Sequence, residues 1–306
     1  MIWIIIASVL LVLICVILGI EYYVYKRVFY SPQKGQNSEY NIVRMKGLEE
    51  VGARGTQLVN ELLKISAEDL YATSFDNLKL HAYFYKSAGS NEFVICFHGL
   101  RRTARRSFAG RTMDLLKAKK NVILVDLRAH GLSKGHTITY GKKEQYDVVT
   151  WVNYVKEKFG EDAKITLIGV SMGATIVLAA SDKIDERVKI IADSPYMSLQ
   201  DVVKQTIFRK NMNQKIVYPA VALASILFCH TTLESDVPKN INNSKNKIII
   251  TYGTADSLVP ASVIEAVFMS NKDHLKLECF DGVCHGIQYL SATERYRKMM
   301  LDFINN

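Results

Sequence analysis

The sequence predicts an α/β protein: a doubly wound, mostly parallel sheet with a small helical cap, preceded by an N-terminal transmembrane helix. Three observations predict it. Apolar, β-branched runs recur near Phe93, Val122, Ile165, Val188, Ile248 and Leu275, and helix-length segments separate them. The glycine-flanked serine in Gly169-Val170-Ser171-Met172-Gly173 joins one of those runs directly to a small-residue helix start. The stretch from Ile2 to Ile20 carries no charge at all.

The elements follow in chain order. As a helix, the 19 residues from Ile2 to Ile20 would rise about 28 Å, close to the ~30 Å hydrocarbon thickness of a bilayer. Trp3 at one end and Tyr22, Tyr23, Tyr25 and Tyr30 at the other are placed as interfacial anchors. A cleaved signal peptide is the competing reading. Against it, no Lys or Arg precedes the run, the run exceeds a usual apolar core, and no small-x-small site follows. The expectation is a retained anchor over residues 1–25, meeting the lipid bilayer through residues 2–25. Lys26, Arg27, Lys34, Arg44 and Lys46 all follow the span, which predicts a single-pass cell-membrane protein with a cytoplasmic catalytic domain. The cysteines show no disulfide framework, which suits that side, although exported domains also manage without disulfides.

Residues 26–66 read as a juxtamembrane linker that becomes helical from about Arg54 to Lys64. Residues 67–306 have the size of one α/β domain. Tyr71–Phe75 and Leu78–Tyr85, split by Asp76-Asn77, read as a hairpin that enters the sheet antiparallel. Between Pro195 and Pro238 the strand rhythm lapses, and a cap is expected over about 196–238. Inside it Ile216 to Phe228 is apolar nearly all round yet too short to span a bilayer. Such a segment suits a lid lining an acyl pocket or touching the membrane surface, or a core helix packed on the sheet.

The chemistry is read from the ends of the strands. A serine on a tight strand-to-helix turn has its hydroxyl pushed out at the top of the sheet, and a side chain in place of either flanking glycine would collide with a neighbouring element. A hydroxyl needs a base to become a nucleophile. Lys247–Tyr252 is a strand, and Asp256 lies on the loop behind it; Leu275–Phe280 is the next, and His285 lies on the equivalent loop. Asp193, behind the preceding strand, is the competing carboxylate, and Asp256 can also be read as a helix cap near Pro260. Of the other histidines, His98 and His130 sit in turns where an imidazole braces a loop, while His81 in the hairpin and His274 before a strand suit solvated roles. Phe93–Phe97 followed by His98-Gly99-Leu100 offers the backbone N–H of Leu100 to an oxyanion, and Met172 N–H at the helix start is a second donor.

With these pieces assembled, the chain resembles the α/β-hydrolase superfamily, and within it the membrane-anchored bacterial hydrolases of esterase-like or peptidase-like kind. The resemblance runs from about Ala67 to Phe303 and is carried by FHGL at Phe97–Leu100, DLRAHGLSKG at Asp126–Gly135, GVSMG, DSPY at Asp193–Tyr196, YGTADSLVP and CHG. The chain order Ser171, Asp256, His285 is that superfamily's order, not the trypsin-like or subtilisin-like one. The resemblance implies nucleophile Ser171, acid Asp256, base His285 and oxyanion amides from Leu100 and Met172, with no metal or organic cofactor. No Cys/His spacing resembles a zinc site either. The fold leaves the substrate open.

The formal charge of +9 is concentrated partly in Arg101, Arg102, Arg105, Arg106 and Arg111, directly behind the oxyanion turn. Arg101 and Arg102 are candidates for binding an anionic substrate group, against a plain reading of the cluster as a solvated helix face. Aromatics are not interleaved with a basic groove, so nucleic acid is not an expected partner. The expectation is a serine hydrolase acting on carboxylic esters of short to medium acyl chains. A peptidase or amidase with the same triad is the alternative, and a catalytically idle membrane scaffold is the alternative from another class.

Overall fold

The computed structural model describes residues 1–32, 48–269 and 274–306. Lys34, Arg44 and Lys46, which entered the charge argument above, lie outside the described residues.

Eight strands form a single sheet: β1 (Glu68–Thr73), β2 (Lys79–Tyr85), β3 (Glu92–Phe97), β4 (Asn121–Asp126), β5 (Lys164–Val170), β6 (Lys189–Asp193), β7 (Ile248–Gly253) and β8 (Leu275–Phe280), in the spatial order β1-β2-β4-β3-β5-β6-β7-β8. From β4 through β3 to β8 every pairing is parallel, and β2 is antiparallel to both β1 and β4. The strands β4 and β7 are buried at every residue. Such continuous apolar runs arise when helices cover both faces of a parallel sheet. The turn between β1 and β2 reverses at Asn77, whose φ is 61°, a conformation Asn tolerates better than most residues.

Helices α1 (Ile2–Val28), α2 (Glu49–Leu62), α3 (Ala104–Lys117), α4 (Glu144–Phe159), α5 (Met172–Ala179), α6 (Leu199–Arg209), α7 (Gln214–Ala224), α8 (Val237–Asn243), α9 (Ala261–Met269), α10 (Gln288–Ser291) and α11 (Thr293–Asn305) connect and cover the sheet. One core layer joins the sheet to α4, α5, α8 and α9 through Trp151, Ile176, Ile241 and Ile264. The opposite layer joins it to α2, α3 and α11 through Leu62, Phe108, Tyr296 and Met300. Helix α2 begins at Glu49, earlier than the Arg54 expected from sequence, because Glu49 and Glu50 occupy its first turn and complement the helix dipole.

The cap is α6 and α7, followed by a π-helical turn over Ser225–Cys229 that ends at His230 in the left-handed conformation. Pro219 stands inside α7. The apolar segment is neither wholly buried nor wholly exposed: Val221 and Ala224 are buried while Ile216 is 67% exposed.

Helix α1 continues through Lys26 and Arg27, residues assigned above to the linker. Its first nineteen residues are exposed, and its last turns pack on the cap. Phe29 is fully buried among Leu199, Val203, Val221 and Ala224. The chain is then stitched to the segment behind β4: Ile138 N–H donates to Phe29 O at 2.8 Å, Ser31 N–H to His136 O at 2.8 Å, and Tyr140 O–H to Val28 O at 2.8 Å.

Candidate active site

Ser171 occupies the sharp turn between β5 and α5 with φ 55° and ψ −118°. A non-glycine residue held there stores about 1–3 kcal/mol of strain, so the surroundings must over-determine it. They do so through contacts on both sides. Ser171 N–H donates to Asp193 O at 2.8 Å. A Cβ on Gly169 would lie 2.3 Å from Gly173 O, and one on Gly173 would lie 1.9 Å from Phe97 O. The two glycines are there because α5 starts against β5 and against the end of β3 with no room for a side chain.

The loops behind β7 and β8 are tied together before they reach Ser171. Ala255 N–H donates to Val283 O at 3.2 Å, Gly282 N–H to Thr254 Oγ1 at 2.8 Å, and Thr254 O–H to Asp281 Oδ1 at 2.8 Å. Ser194 Oγ accepts from Gly286 N–H at 3.1 Å and from Gln288 Nε2 at 2.6 Å, which holds the far side of the histidine loop. The result brings three sequence-predicted residues into one chain. His285 Nε2 lies 2.8 Å from Ser171 Oγ, and His285 Nδ1 lies 2.7 Å from Asp256 Oδ2. Asp256 Oδ1 accepts from Leu258 N–H at 2.8 Å and Val259 N–H at 2.9 Å. Burial alone would raise the Asp256 carboxyl, but the hydrogen bond and charge of His285, with the two amides, outweigh it and hold the carboxyl below its ordinary value.

The competing carboxylate is committed elsewhere. Asp193 is fully buried, with Oδ2 taking Arg111 Nη2 at 2.6 Å and Tyr296 O–H at 2.7 Å, and Oδ1 taking Thr251 O–H at 2.8 Å. It braces the turn under Ser171 through its backbone carbonyl, and both its carboxylate oxygens are engaged by Arg111, Tyr296 and Thr251 rather than by His285.

Met172 directly follows Ser171, and Leu100 follows Gly99 on the turn that runs beside Ser171; neither amide donates to another described residue. The turn carrying Leu100 is held by two histidines. His98 Nδ1–H donates to Gly99 O at 2.8 Å while its Nε2 accepts from Leu127 N–H at 3.2 Å. His130 Nε2 accepts from Arg101 N–H at 3.0 Å, and its Nδ1–H donates to Arg128 O at 2.9 Å. Burial, reinforced by the neighbouring His130, pushes the His98 imidazole down to about 3. Burial likewise lowers His130, so both are neutral braces, as their turns suggested. The reversal in this turn is made by Arg101, with φ 54°, and not by Gly99. A Cβ on Gly99 would sit 3.4 Å from Ser171 Cβ, so the turn passes close beside the serine.

Two expectations are corrected here. Arg101 does not reach toward Ser171 as a substrate ligand: its Nη2 donates to Arg27 O at 3.0 Å and Val28 O at 3.3 Å, capping the carbonyls at the end of α1. His81 is not solvated: it is fully buried between Asp126, at 2.8 Å from Nδ1, and Asp69, at 3.0 Å from Nε2. Arg102, the other candidate, is half-buried beside the Leu100 turn without an acidic partner among the described residues, and burial lowers its guanidinium. Arg111, the buried clamp on Asp193, had no sequence signal beyond its place in a basic helix. Its contacts with Asp193, Tyr289 and Tyr296, all distant in the chain, distinguish it.

A family model described as the alpha/beta hydrolase fold matches residues 92–209. An uncharacterized protein of Acanthamoeba polyphaga mimivirus is 26% identical over 200 residues, which is 62% of this chain and 65% of that protein's length, less than two thirds of it. The uncharacterized protein YqkD of Bacillus subtilis is 25% identical over 224 residues, covering 71% of this chain and 72% of that protein. Among solved structures, the esterase Pf2001 of Pyrococcus furiosus superposes with a TM-score of 0.67 at 25% identity, covering 79% of this chain and 92% of that one.

Proposed function

We propose that this chain, which has the α/β-hydrolase fold, is a membrane-anchored serine hydrolase that cleaves carboxylic esters of short to medium acyl chains. Esterase neighbours of this fold support hydrolase activity of the ester-cleaving kind. The observation that carries the finer reading is the unbroken chain Ser171–His285–Asp256, at 2.8 and 2.7 Å.

In this reading Ser171 Oγ attacks the acyl carbonyl carbon and its proton passes to His285 Nε2. Asp256 keeps the other imidazole proton on Nδ1 and stabilises the imidazolium. The carbonyl π electrons move to oxygen, where the Leu100 and Met172 amides receive the negative charge. Each such donor contributes about 3 kcal/mol to the transition state. Collapse of the tetrahedral anion breaks the ester C–O bond, and the leaving alkoxide takes the proton from His285. Water then attacks the acyl-enzyme with His285 as base, releasing the carboxylic acid and restoring Ser171. Arg102 is the residue proposed to meet an anionic group on the substrate.

Helix α1 is the proposed anchor. It spans 27 residues and is long and apolar enough to cross a bilayer. Lys26 and Arg27 after the apolar run support a cytoplasmic catalytic domain under the positive-inside rule.

The test is labelling of the full chain, in detergent or nanodiscs, by a fluorophosphonate probe. Wild type is expected to label while Ser171→Ala and His285→Ala do not. A folded wild type that fails to label overturns the hydrolase reading in favour of an idle scaffold. Faster turnover of amides than of matched esters overturns the ester preference.

A further inference from the structure

The parallel strands from β3 to β8 all end on one side of the sheet, and Ser171, Asp256 and His285 stand on that side. The end of α1 docks on the same side. Arg101, behind β3, caps its carbonyls, and the segment behind β4 pairs with Phe29 and Ser31. The cap, which leaves β6 and returns toward β7, shares its core with Phe29, Val28 and Tyr25 of the α1 end. Anchor, cap and candidate triad are therefore one packed unit at one end of the molecule.

The outer surface of that cap is unusual for a face in water. Phe208 is 81% exposed, Ile216 67% and Ile226 53%, with Met212 and Leu223 exposed beside them. Lys204, Arg209, Lys210 and Lys215 are interleaved with them, and no acidic residue occurs between Lys204 and Tyr218. Protruding apolar side chains mixed with cations alone match the layered chemistry of an anionic membrane surface, where rings and aliphatics enter the acyl boundary and ammonium groups meet phosphates. The patch is continuous with α1: Phe228 packs on Tyr22 at 5.8 Å and Tyr25 at 5.2 Å between ring centres. Tyr22 and Tyr23 are themselves exposed where the apolar run ends.

We infer that the apolar and basic face of the cap lies in the headgroup region of the bilayer that α1 crosses, so that the catalytic end of the sheet faces lipid and receives amphiphilic esters from the membrane. The inference rests on the reading of α1 as a membrane span. One surface cannot leave the lipid without the other, because the last turns of α1 are part of the cap's core.

Depth-dependent tryptophan quenching tests it on the full chain, in nanodiscs of phosphatidylglycerol and phosphatidylcholine with brominated acyl chains. In wild type, Trp3 reports the span, and Trp151, fully buried in the core, supplies a constant background. In a Trp3→Phe background, Phe208→Trp places a reporter on the cap. Glu157→Trp places one near the end of α4, on the opposite side of the sheet from the triad. The cap reporter is expected to lose most of its added emission and the α4 reporter none. Quenching of Trp3 without quenching of the cap reporter overturns the inference and leaves the span intact. If Trp3 itself is unquenched, the span reading falls and the inference falls with it. The double variant Phe208→Glu/Ile216→Glu is expected to raise KM several-fold for a vesicle-borne ester while leaving a water-soluble short ester unchanged. Equal effects on both substrates overturn the delivery of substrate from the membrane.

Discussion

Replacing Asp256 by Asn tests the candidate triad at its most constrained atom. The Asp256 side chain is 1% exposed, Oδ1 is held by two backbone N–H groups, and Oδ2 faces His285. An Asn side chain must keep its carbonyl oxygen on the two amides. Turning its NH2 toward them forfeits two buried hydrogen bonds, roughly 1–3 kcal/mol each. The NH2 therefore faces His285 Nδ1, which must become an acceptor, and the imidazole proton moves to Nε2. In that tautomer Nε2 donates to Ser171 and cannot take its proton. Loss of the correct tautomer costs about 10⁴ in kcat, equal to about 5.5 kcal/mol of barrier. The amide rotation that would restore the tautomer costs a comparable amount, so there is no cheap escape. The assay is kcat for a p-nitrophenyl butyrate-type ester on the full chain, with thermal melting followed by circular dichroism on the same preparations. A variant that melts like wild type and keeps kcat within about tenfold would falsify the assignment of Asp256 as the orienting carboxylate.

The other predictions can be checked together. Gly173→Ala pushes a Cβ to 1.9 Å from the Phe97 carbonyl and should abolish probe labelling or folding, whereas Gly55→Ala, whose nearest contact is 3.5 Å, should raise stability, by about 1 kcal/mol as in other helix interiors. A Gly173→Ala protein that melts and labels like wild type contradicts the tight-packing account of the turn. Burial keeps His98 neutral down to about 3, while an unfolded histidine takes its proton near ~6.5. The unfolded state therefore binds more protons between those values, and stability should fall as pH drops from about 6.5 toward 3. Urea midpoints measured across that window should decline less steeply in His98→Gln, and an unchanged slope would remove His98 as the cause. Arg102→Ala should raise KM for anionic esters more than for neutral ones, while Arg101→Ala should leave that ratio alone and loosen the α1 junction to limited proteolysis. Equal KM effects of Arg102→Ala on both ester types refute a charge-specific contact.

Much of the site was legible because its parts are local. Ser171 announces itself through two glycines and a strand-to-helix change within five residues, and His285 and Asp256 through their place just behind apolar strands. The histidine braces at His98 and His130 were legible for the same reason: each serves its own turn. A long side chain has several destinations, and its neighbours in sequence do not choose among them. Arg101 and Arg102 are adjacent in sequence, yet a φ of 54° at Arg101 sends its guanidinium to α1 while Arg102 stays beside the turn. His81 looked like a hairpin residue facing water, but the β2–β4 pairing sets it directly opposite Asp126.

By itself the sequence determined the alternation of strands and helices, the apolar N-terminal helix and the turn that presents Ser171, because periodicity, glycine placement and charge are properties of neighbouring residues. Only the tertiary structure decided which carboxylate faces His285, since Asp193 and Asp256 both follow strands and differ in partners that lie up to 103 residues away in the chain. It likewise decided that the end of α1, the cap and the candidate triad share one end of the sheet. Those groupings come from strand order and helix docking, and no local preference encodes contacts between segments so far apart in the chain.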